Sequence, residues 1–402
     1  MYYHMMSHMW MNYSQQELER RHAAVKAVLR KLDLPGVLAF SWDGILKSWL
    51  LGERIHGYTG AGDILLTDGP SYCVSEEFLH FRMLEPGEDF LSYVSPTNYH
   101  AVQKATRFSF APILAAMEQA GTHRFGIYAP REMNVQTEQY LRKHIPNLEF
   151  VDVTRALDEV QMVRSPEELA SAQKAAAALQ QVFQAIPAIM RPGMLESECR
   201  NRIFHLPASG LTGDTSFYTT SLVRLTAGKE GAPQTTDRPV FPGRALEPGD
   251  RVNVRMNYPV GNWFLGMTAR SFLLAEKAEP ETLQKWAVAA EANRLAASGL
   301  KPGATLREVA GKVNAYLLAQ GSREDSSCFL HGISSYMQEK PCLFDETQDA
   351  PLRAGMILAV CPSAQFGQED PFCCGDVYAV TETGAQRLGD LPQELILVPP
   401  LS

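Results

Sequence analysis

No stretch of the 402-residue sequence approaches the roughly 18 consecutive apolar residues that a membrane-spanning helix requires. Mean hydropathy is −0.17, so we expect no contact with a membrane. The first 14 residues are rich in Met, Tyr and His but lack the basic and continuous apolar segments of a signal peptide. We therefore expect a flexible N-terminus over residues 1–14 and a cytoplasmic protein.

An excess of basic residues is also absent. Lys and Arg number 37 against 45 Asp and Glu, which gives a net charge of −8, and the isoelectric point is about 5.7. This balance argues against nucleic acid as a partner. A disulfide framework is equally improbable on this pattern, because the cysteines are odd in number and irregularly spaced, which favours a reduced compartment. The seven cysteines are at positions 73, 199, 328, 342, 361, 373 and 374.

Apolar residues make up 45% and charged residues 20% of the chain, a globular composition whose length suggests two domains. The first part alternates between helical and strand patterns, which predicts a small α/β domain over residues 15–160. The predicted helices span 15–32, 109–120 and 133–144, and the predicted strands lie near 37–40, 64–67, 71–75, 90–94, 124–128 and 148–153.

A capping box opens the second part of the chain. Ser165 precedes Pro166, and Glu168 follows three residues later, ahead of an alanine-rich helix that runs toward Ile186. We therefore place the domain boundary at 155–165 and a second domain over residues 161–402.

This second domain contains an internal duplication. Each half has a long helix, a Pro-Gly turn, a second helix, and then a strand that follows a turn glycine. Arg255 lies six residues after Gly249, and Cys361 lies six residues after Gly355. We expect two α/β halves around a pseudo-twofold axis, with Arg255 and Cys361 pointing into one shared cleft. The predicted helices begin at 166, 195, 280 and 305, and the predicted strands are 252–256, 269–274, 357–361 and 377–380.

Three stretches of this domain resemble the creatinase, prolidase and aminopeptidase P family. They are Leu246–Asp250 continuing to Arg270-Ser271-Phe272, His331-Gly332-Ile333 continuing to Glu339-Lys340-Pro341, and Gly355–Pro362 continuing to Asp376–Gly384. The resemblance implies an α/β (α+β) fold: a small creatinase-type N-terminal domain followed by a pita-bread domain. It also implies a homodimer in which one chain's N-terminal domain covers its partner's cleft.

Metal-dependent members of that family hold two metal ions on two Asp, one His and two Glu. The corresponding positions in this chain carry different chemistry, apart from the histidine. They are occupied by Arg255, Met267, His331, Cys361 and Gly375. Hard or borderline divalent cations prefer anionic oxygen ligands, and a guanidinium repels them. The resemblance therefore predicts that this chain has no metal and no other cofactor.

The loss of both acidic ligands from the first strand pair makes the chain nearest in character to creatinase, which works without metal. Creatinase's own catalytic groups are missing, however. Its catalytic His corresponds to Gln234 or Arg238, depending on where the gap is placed, and its two Glu correspond to Cys361 and Ala269. The second His of the His-Glu-x-Pro motif is Gln338. We therefore expect this chain to share the creatinase fold but not the creatinase reaction.

Cys361 beside His331 and Arg255 is a candidate low-pKa thiolate, acting as a nucleophile; the alternative is an apolar filler of the former metal cavity. Arg255 is a candidate for binding a substrate carboxylate or phosphate, and its alternative is an ion pair with Asp376 or Glu339. A zinc site on Cys361 and His331 would gain at most one of the adjacent Cys373 and Cys374. The catalytic candidates are His331, Cys361 and Glu339, and the substrate-binding candidates are Arg255, Gln234, Arg238, Gln338, Met267 and Asp376.

These features predict a metal-independent, creatinase-like enzyme that acts on a small polar, anionic molecule. The resemblance favours hydrolysis of a C–N bond, and the changed residues favour a diverged lyase or isomerase reaction instead. A catalytically silent binding or scaffold protein is the alternative, since the same fold also serves as a peptide-binding module without metal.

Overall fold

The structure is a computed structural model. The chain divides into two compact units, Met1–Gln161 and Met162–Ser402. The predicted interdomain stretch 155–165 contains most of a helix that ends at Gln161. The predicted strand at 90–94 lies outside the described residues. The described residues are 13–39, 49, 62–68, 71–74, 99–101, 111–133, 135–207, 222–229, 243–260, 264–323, 328–334, 339–367 and 371–399.

Tyr13 and Ser14, the described end of the predicted flexible N-terminus, both contact the first helix. Tyr13 is buried, and its ring lies 4.0 Å from the guanidinium carbon of Arg21. The hydroxyl of Ser14 accepts a hydrogen bond from the backbone N–H of Glu17 and caps the first helix.

The described residues of the N-terminal unit form a six-stranded mixed sheet with helices on both faces. The strand order is β4-β3-β2-β1-β5-β6, and β1 pairs antiparallel with β2 and parallel with β5. The helices are α1 (Gln15–Lys31), α2 (Ala111–Gln119), α3 (Val135–His144) and α4 (Thr154–Gln161), with a 3₁₀ turn at Pro130–Glu132. The strands are β1 (Gly36–Ala39), β2 (Gly62–Leu66), β3 (Ser71–Val74), β4 (Tyr99–Ala101), β5 (Arg124–Tyr128) and β6 (Glu149–Asp152).

Alternation along the strands of this unit produces two cores. Val37 packs with Val25 and Leu29 of α1, whereas Leu38 packs on the opposite face with Ile113 of α2. Successive strand residues point to opposite faces, so a sheet that is apolar on both sides needs helices on both sides.

The C-terminal unit contains two sheets, ordered β16-β9-β8-β7 and β11-β10-β12-β14-β15, with β13 paired to β12. No helix in the described part of the chain is long and apolar enough to cross a membrane. The helices are α5 (Pro166–Ile189), α6 (Glu196–His205), α7 (Pro280–Gly299) and α8 (Leu306–Ala319), with a 3₁₀ turn at Glu346–Asp349. The strands are β7 (Leu222–Gly228), β8 (Arg251–Val260), β9 (Phe264–Leu273), β10 (Cys328–Gly332), β11 (Glu339–Cys342), β12 (Ile357–Ala364), β13 (Phe372–Cys373), β14 (Asp376–Thr381), β15 (Gly384–Leu388) and β16 (Ile396–Leu397).

The two halves of this unit repeat the same backbone hydrogen bonds. Gly249 donates to Leu274 O at 2.7 Å, and Gly355 donates to Val380 O at 2.9 Å. Both glycines have left-handed backbone, with φ of 81° and 90°, which a residue with a Cβ rarely adopts. The same number of residues separates Gly249 from Gly355 and Leu274 from Val380, so these are equivalent positions of a duplicated unit.

The pseudo-twofold axis passes between Ala269 and Gly375, which are equivalent by the same spacing. Each donates its backbone N–H to the other's carbonyl oxygen, at 3.0 and 2.9 Å, and this bridge joins the two sheets. The internal duplication predicted from the sequence is therefore confirmed.

Even-numbered residues of β8 and β12 face the helices. Val252 and Val254 lie in a core with α5, and Leu358 and Val360 lie in a core with α7 and α8. Odd-numbered residues therefore point to the opposite side of each sheet. Arg255 and Cys361 are among them.

Candidate functional site

The candidate site is the side of the two sheets that carries Arg255 and Cys361, around the pseudo-twofold axis. Cys361 and Met267 share a buried cluster there with Ala172 and Ala176 of α5. Arg255 pairs across β8 and β9 with Ala269, and Cys361 pairs across β12 and β10 with Phe329. Residues directly opposite each other on neighbouring strands point to the same face of a sheet, as do residues two positions apart on one strand. Arg255, Ala269, Phe329 and Cys361 therefore share the site face.

Sulfur atoms fill the centre of this face. A Cβ placed on Gly375 would lie 2.9 Å from Cys361 Sγ, 3.2 Å from Met267 Sδ and 2.9 Å from the Cβ of Ala269. These distances are shorter than normal contacts, so the backbone of Gly375 approaches all three side chains closely. Met267 and Cys361 are buried.

Beside the sulfur centre, an aromatic ring separates two basic side chains. The guanidinium carbon of Arg255 lies 4.6 Å from the centroid of the Phe329 ring. The His331 ring meets Phe329 edge to face, with centroids 4.6 Å apart. Among the described residues, Arg255 has no carboxylate within salt-bridge distance; the alternative ion pairs predicted for it, with Asp376 and Glu339, are not formed.

His331 is fully buried. Its Nδ1 lies 2.7 Å from the carbonyl oxygen of Gly332, so Nδ1 carries the proton in the neutral ring. Burial, together with the charge of Arg255, lowers the pKa of His331 to about 4, against the opposing effect of the Gly332 hydrogen bond. Nε2 therefore presents a lone pair, and it has no hydrogen-bond partner in the described part of the chain.

The thiol of Cys361 interacts with the thiol of Cys373, and His331 Nε2 has no hydrogen-bond partner in the described part of the chain. The interaction between the two thiols and the positive charge of Arg255 lower the pKa of Cys361, although burial opposes them. The same contact and burial raise the pKa of Cys373, whose Sγ also lies 3.6 Å from Ser363 Oγ. Cys361 thus has a second thiol as its neighbour on the site face.

Cys374 lies on the helix side of the strand, in the core with α7, and burial raises its pKa to about 12. Cys373 therefore joins Cys361 and its neighbour does not, as the alternation of strand residues predicts.

The two carboxylates assigned to the site by the sequence lie in buried ion pairs. Glu339 accepts hydrogen bonds from Ser334 at 2.6 Å and from Arg164 at 2.5 Å. Asp376 accepts from Arg270 at 2.8 Å and from Gln393 at 2.8 Å. These contacts occupy both oxygens of each group.

Gln234, Arg238 and Gln338 lie outside the described residues. The sequence analysis missed Asn257 and Phe329, both of which face the site. Asn257 is two positions after Arg255 on β8 and is buried. The period of two along a strand was the signal that would have found it.

The duplicated sheets, joined at Ala269 and Gly375, define a pita-bread domain preceded by a small α/β domain. Residues 170–390 match the metallopeptidase family M24. The chain belongs to this family, which confirms the predicted family and fold class.

Known proteins agree with this assignment. The chain is 26% identical over 250 residues to the probable dipeptidase PepE of Mycobacterium tuberculosis, covering 61% of this chain and 63% of that protein. The alignment thus spans less than two thirds of that relative. The dipeptidase PepE from Mycobacterium ulcerans superposes with a TM-score of 0.75 at 21% identity, covering 96% of this chain and 100% of that one. The N-terminal domain of the FACT complex subunit SPT16 from Cicer arietinum superposes with a TM-score of 0.70 at 12% identity, covering 95% of this chain and 98% of that one.

The residues that the family resemblance assigns to the metal-ligand positions do not fit a dinuclear metal centre. His331 is the one residue type that matches the family's ligand set. Arg255 repels cations, Gly375 has no side chain, and Met267 and Cys361 supply soft sulfur instead of carboxylate oxygen. A carboxylate at position 375 would also collide with Cys361 Sγ. In the described part of the chain, no cluster of three His, Cys, Asp or Glu side chains has an arrangement suited to a metal ion.

Proposed function

We propose that this M24-family chain is a metal-independent enzyme that cleaves a C–N bond of a small anionic molecule. The observation that carries the proposal is the pair of equivalent positions 255 and 361. In place of two metal-binding carboxylates, they hold a guanidinium and a thiol of lowered pKa. Fold neighbours and the dipeptidase relatives support a hydrolase as the general class.

Arg255 supplies the anion-binding group. It has no carboxylate partner among the described residues, and its guanidinium lies against the apolar face of Phe329. A charged group in such surroundings is stabilised by a ligand carboxylate, which a guanidinium binds through two parallel hydrogen bonds.

Cys361 supplies the nucleophile. Its thiolate attacks the carbonyl-type carbon of the substrate, so that a C–S bond forms and the C–N bond breaks. The leaving nitrogen takes the proton of the Cys373 thiol. Water then hydrolyses the thioester, returns the proton to Cys373 and releases the acid and the free thiolate. His331 is neutral and has no proton on Nε2, so it accepts hydrogen bonds in this scheme.

Thiol reactivity tests the proposal. We expect iodoacetamide to modify Cys361 near neutral pH much faster than Cys199, whose pKa burial raises to about 12. Arg255→Met should shift the Cys361 rate profile to higher pH, because a stabilising positive charge is lost. Mass spectrometry of each peptide measures both rates. An unreactive Cys361 in a folded protein would contradict the proposed role.

Turnover on a panel of N-acyl and N-carbamoyl amino acids supplies the second readout. Cys361→Ser should reduce kcat by several orders of magnitude with little change in binding, since the reacting atom alone is altered. Full activity of this variant would rule out the thiol mechanism.

Metal independence is tested separately. We expect elemental analysis of the purified protein to find no stoichiometric Mn, Co, Fe or Zn, and chelator treatment to leave activity unchanged. About one bound metal per chain whose removal abolishes activity would contradict the proposal.

We also propose a homodimer, as the family resemblance implies. Light scattering should give twice the chain mass of 44.6 kDa. The mass of one chain at every micromolar concentration tested would contradict it.

A catalytically silent binding protein is the second candidate. The close packing of Cys361, Met267 and Ala269 around Gly375 favours it, because a nucleophile needs access to its substrate. The superposition on a domain of SPT16, which is a subunit of the FACT complex, is a further reason to consider a binding protein. Slow alkylation of Cys361 together with stable capture of a protein partner would support this function over catalysis.

A further inference from the structure

Asn257 is a buried amide without a hydrogen-bond partner. Its side chain is 1% exposed, and neither Nδ2 nor Oδ1 has a partner in the described part of the chain. A buried amide left unpaired costs about 1–3 kcal/mol. Most buried polar groups in folded proteins are paired, so an exception calls for an explanation.

Asn293 shows the usual outcome in the same unit. Its Nδ2 donates to Cys374 O at 2.9 Å and to Val360 O at 3.3 Å, and its Oδ1 accepts from Gln393 at 2.9 Å and from Tyr378. Both asparagines are buried in the pita-bread unit. The difference between them is that Asn257 lies on the site face of β8.

Two further unpaired polar atoms lie on the same face. Nε of Arg255 is buried without a partner among the described residues, and so is Nε2 of His331. Arg255 and Asn257 are two positions apart on one strand, so their side chains point the same way. Phe329 contacts both Arg255 and His331. The face therefore offers a cationic donor, an amide and a neutral acceptor.

We infer that Asn257, together with Arg255 and His331, binds a small carboxylate that carries a neighbouring secondary amide or ureido group. Arg255 binds the carboxylate. Nδ2 of Asn257 donates to the ligand carbonyl oxygen, and Oδ1 accepts from a ligand N–H. Nε2 of His331 accepts from a further N–H. This inference rests on the proposed function in assigning the anion to Arg255, and it adds a residue that selects the substrate.

Binding experiments on the full chain test the selection. The probes are N-acetylglycine and N-carbamoylglycine, with pentanoate as a carboxylate of similar length that lacks the amide. The parent protein should bind both amide probes about tenfold more tightly than pentanoate, the equivalent of about 1.4 kcal/mol. Asn257→Leu should remove that preference by weakening the amide probes alone, whereas Arg255→Met should weaken all three.

The Tm of the ligand-free protein distinguishes a binding role from a structural role, because replacing a structural asparagine would lower it. Asn257→Leu replaces an unpaired buried amide with an apolar group of similar size, so Tm should stay the same or rise by about 2–4 °C. The matched control Asn293→Leu breaks four hydrogen bonds and should lower Tm. A fall in Tm for Asn257→Leu as large as that for Asn293→Leu would indicate a structural role and overturn the inference.

Two binding results would also overturn it. One is equal affinity for N-acetylglycine and pentanoate with dependence on Arg255, which leaves the proposed function standing. The other is no binding of either amide probe at millimolar concentrations. The proposed function is judged independently by Cys361 reactivity and turnover, so failure of the one is distinguishable from failure of the other.

Discussion

The two halves of the pita-bread unit have the same backbone arrangement but different side chains on the site face. Along the first hairpin the site residues are a guanidinium, an amide and a thioether; at the equivalent positions of the second they are a thiol, a hydroxyl and a thiol. The cross-strand pairing is nevertheless the same, Asn257 with Met267 and Ser363 with Cys373. The equivalent pairs are Arg255 and Cys361, Asn257 and Ser363, and Met267 and Cys373.

This difference shows which features the fold requires. The turn glycines Gly249 and Gly355 are the same residue in both halves because both need left-handed backbone. The side chains on the site face diverge because the backbone hydrogen bonds hold the sheet whichever residues occupy it. Equivalent positions are thus free to carry complementary groups.

Arg270 and Asp376 are the clearest case of such complementarity. They are equivalent positions adjacent to the bridge at the axis, and they form a buried ion pair with an N–O distance of 2.8 Å. Arg270 also donates to the carbonyl oxygens of Gly375 and Leu391. This ion pair joins the two halves on the helix side of the sheets.

Removing one partner of this pair should produce the largest effect. Asp376→Ala leaves the fully buried guanidinium of Arg270 without its carboxylate, which costs about 3–5 kcal/mol of unfolding free energy. Urea unfolding measures this loss. The control is Asp349→Ala, which breaks the exposed pair with Arg307. Its urea unfolding midpoint should equal that of the parent protein. Similar unfolding midpoints for the two variants would show that the buried pair does not hold the halves together.

The second prediction concerns His331 and its counterpart in the first half. The register places His331 opposite Ala359, and Thr226 occupies the corresponding place opposite Asn253, to which it is hydrogen-bonded. The folded-state pKa of His331 is about 4, against an ordinary value of 6.5. The unfolded chain therefore binds more protons between these values, so stability rises with pH from about 4 to 6.5 and is lost as pH falls.

The expected loss across this window is about 3 kcal/mol, because each pKa unit corresponds to about 1.4 kcal/mol. Urea unfolding at several pH values should show this slope in the parent protein and a smaller one in His331→Gln. The exposed His205 provides the control, because His205→Gln should retain the parent slope. An unchanged slope in His331→Gln would refute the assignment.

The third prediction tests the contact at the axis, where Ala269 faces a glycine. Gly375→Ala places a methyl group 2.9 Å from Cys361 Sγ and from the Cβ of Ala269. Overpacking of this kind costs about 1–3 kcal/mol. Adding Cys361→Ala should restore part of the loss by removing the sulfur.

Gly311→Ala is the matched control, since Gly311 lies in α8 with no atom within 4 Å of the added Cβ. In a helix interior this change should stabilise by about 0.5–1 kcal/mol. If Gly375→Ala does not lower the free energy of unfolding relative to the parent while Gly311→Ala raises it, the backbone around position 375 moves to make room for the methyl group.

Local patterns were sufficient for much of the fold. The capping box of Ser165 and Glu168 forms as predicted, with both hydrogen bonds present. Equal spacing from the turn glycines predicted the equivalence of Arg255 and Cys361. These signals depend on residues a few positions apart, or on one repeated distance, and they can be read without knowing the tertiary contacts.

Site contacts made across long separations were not predictable in the same way. Glu339 binds Arg164, which is 175 positions away in the chain, and nothing in either local sequence indicates the partner. Cys373 reaches Cys361 because the short strand β13 pairs with β12, and two residues give too little periodicity to predict such a strand. The sequence therefore indicated which residues lie near the site but not their hydrogen-bond partners.

The smallest predicted effect comes from the second helices of the two halves. Thr305 caps α8 in a capping box with Glu308, whereas Leu195, at the N-cap of α6, provides no side-chain hydrogen bond. Leu195 is 39% exposed and has extended backbone, with φ of −69° and ψ of 144°. Glu198 already occupies the third helical position, so Leu195→Thr would complete a second capping box.

We expect Leu195→Thr to stabilise the protein by about 1 kcal/mol, because an N-cap hydroxyl satisfies a backbone N–H that lacks a partner within the helix. Glu198 must first leave its exposed pair with Arg202, a contact worth little in water. Leu318→Thr is the control, since Leu318 is also exposed but lies inside α8, where threonine lowers helix propensity. Thermal unfolding should raise Tm for Leu195→Thr and lower it slightly for Leu318→Thr. Equal shifts for both variants would mean that the start of α6 gains nothing from the cap that its counterpart in the other half possesses.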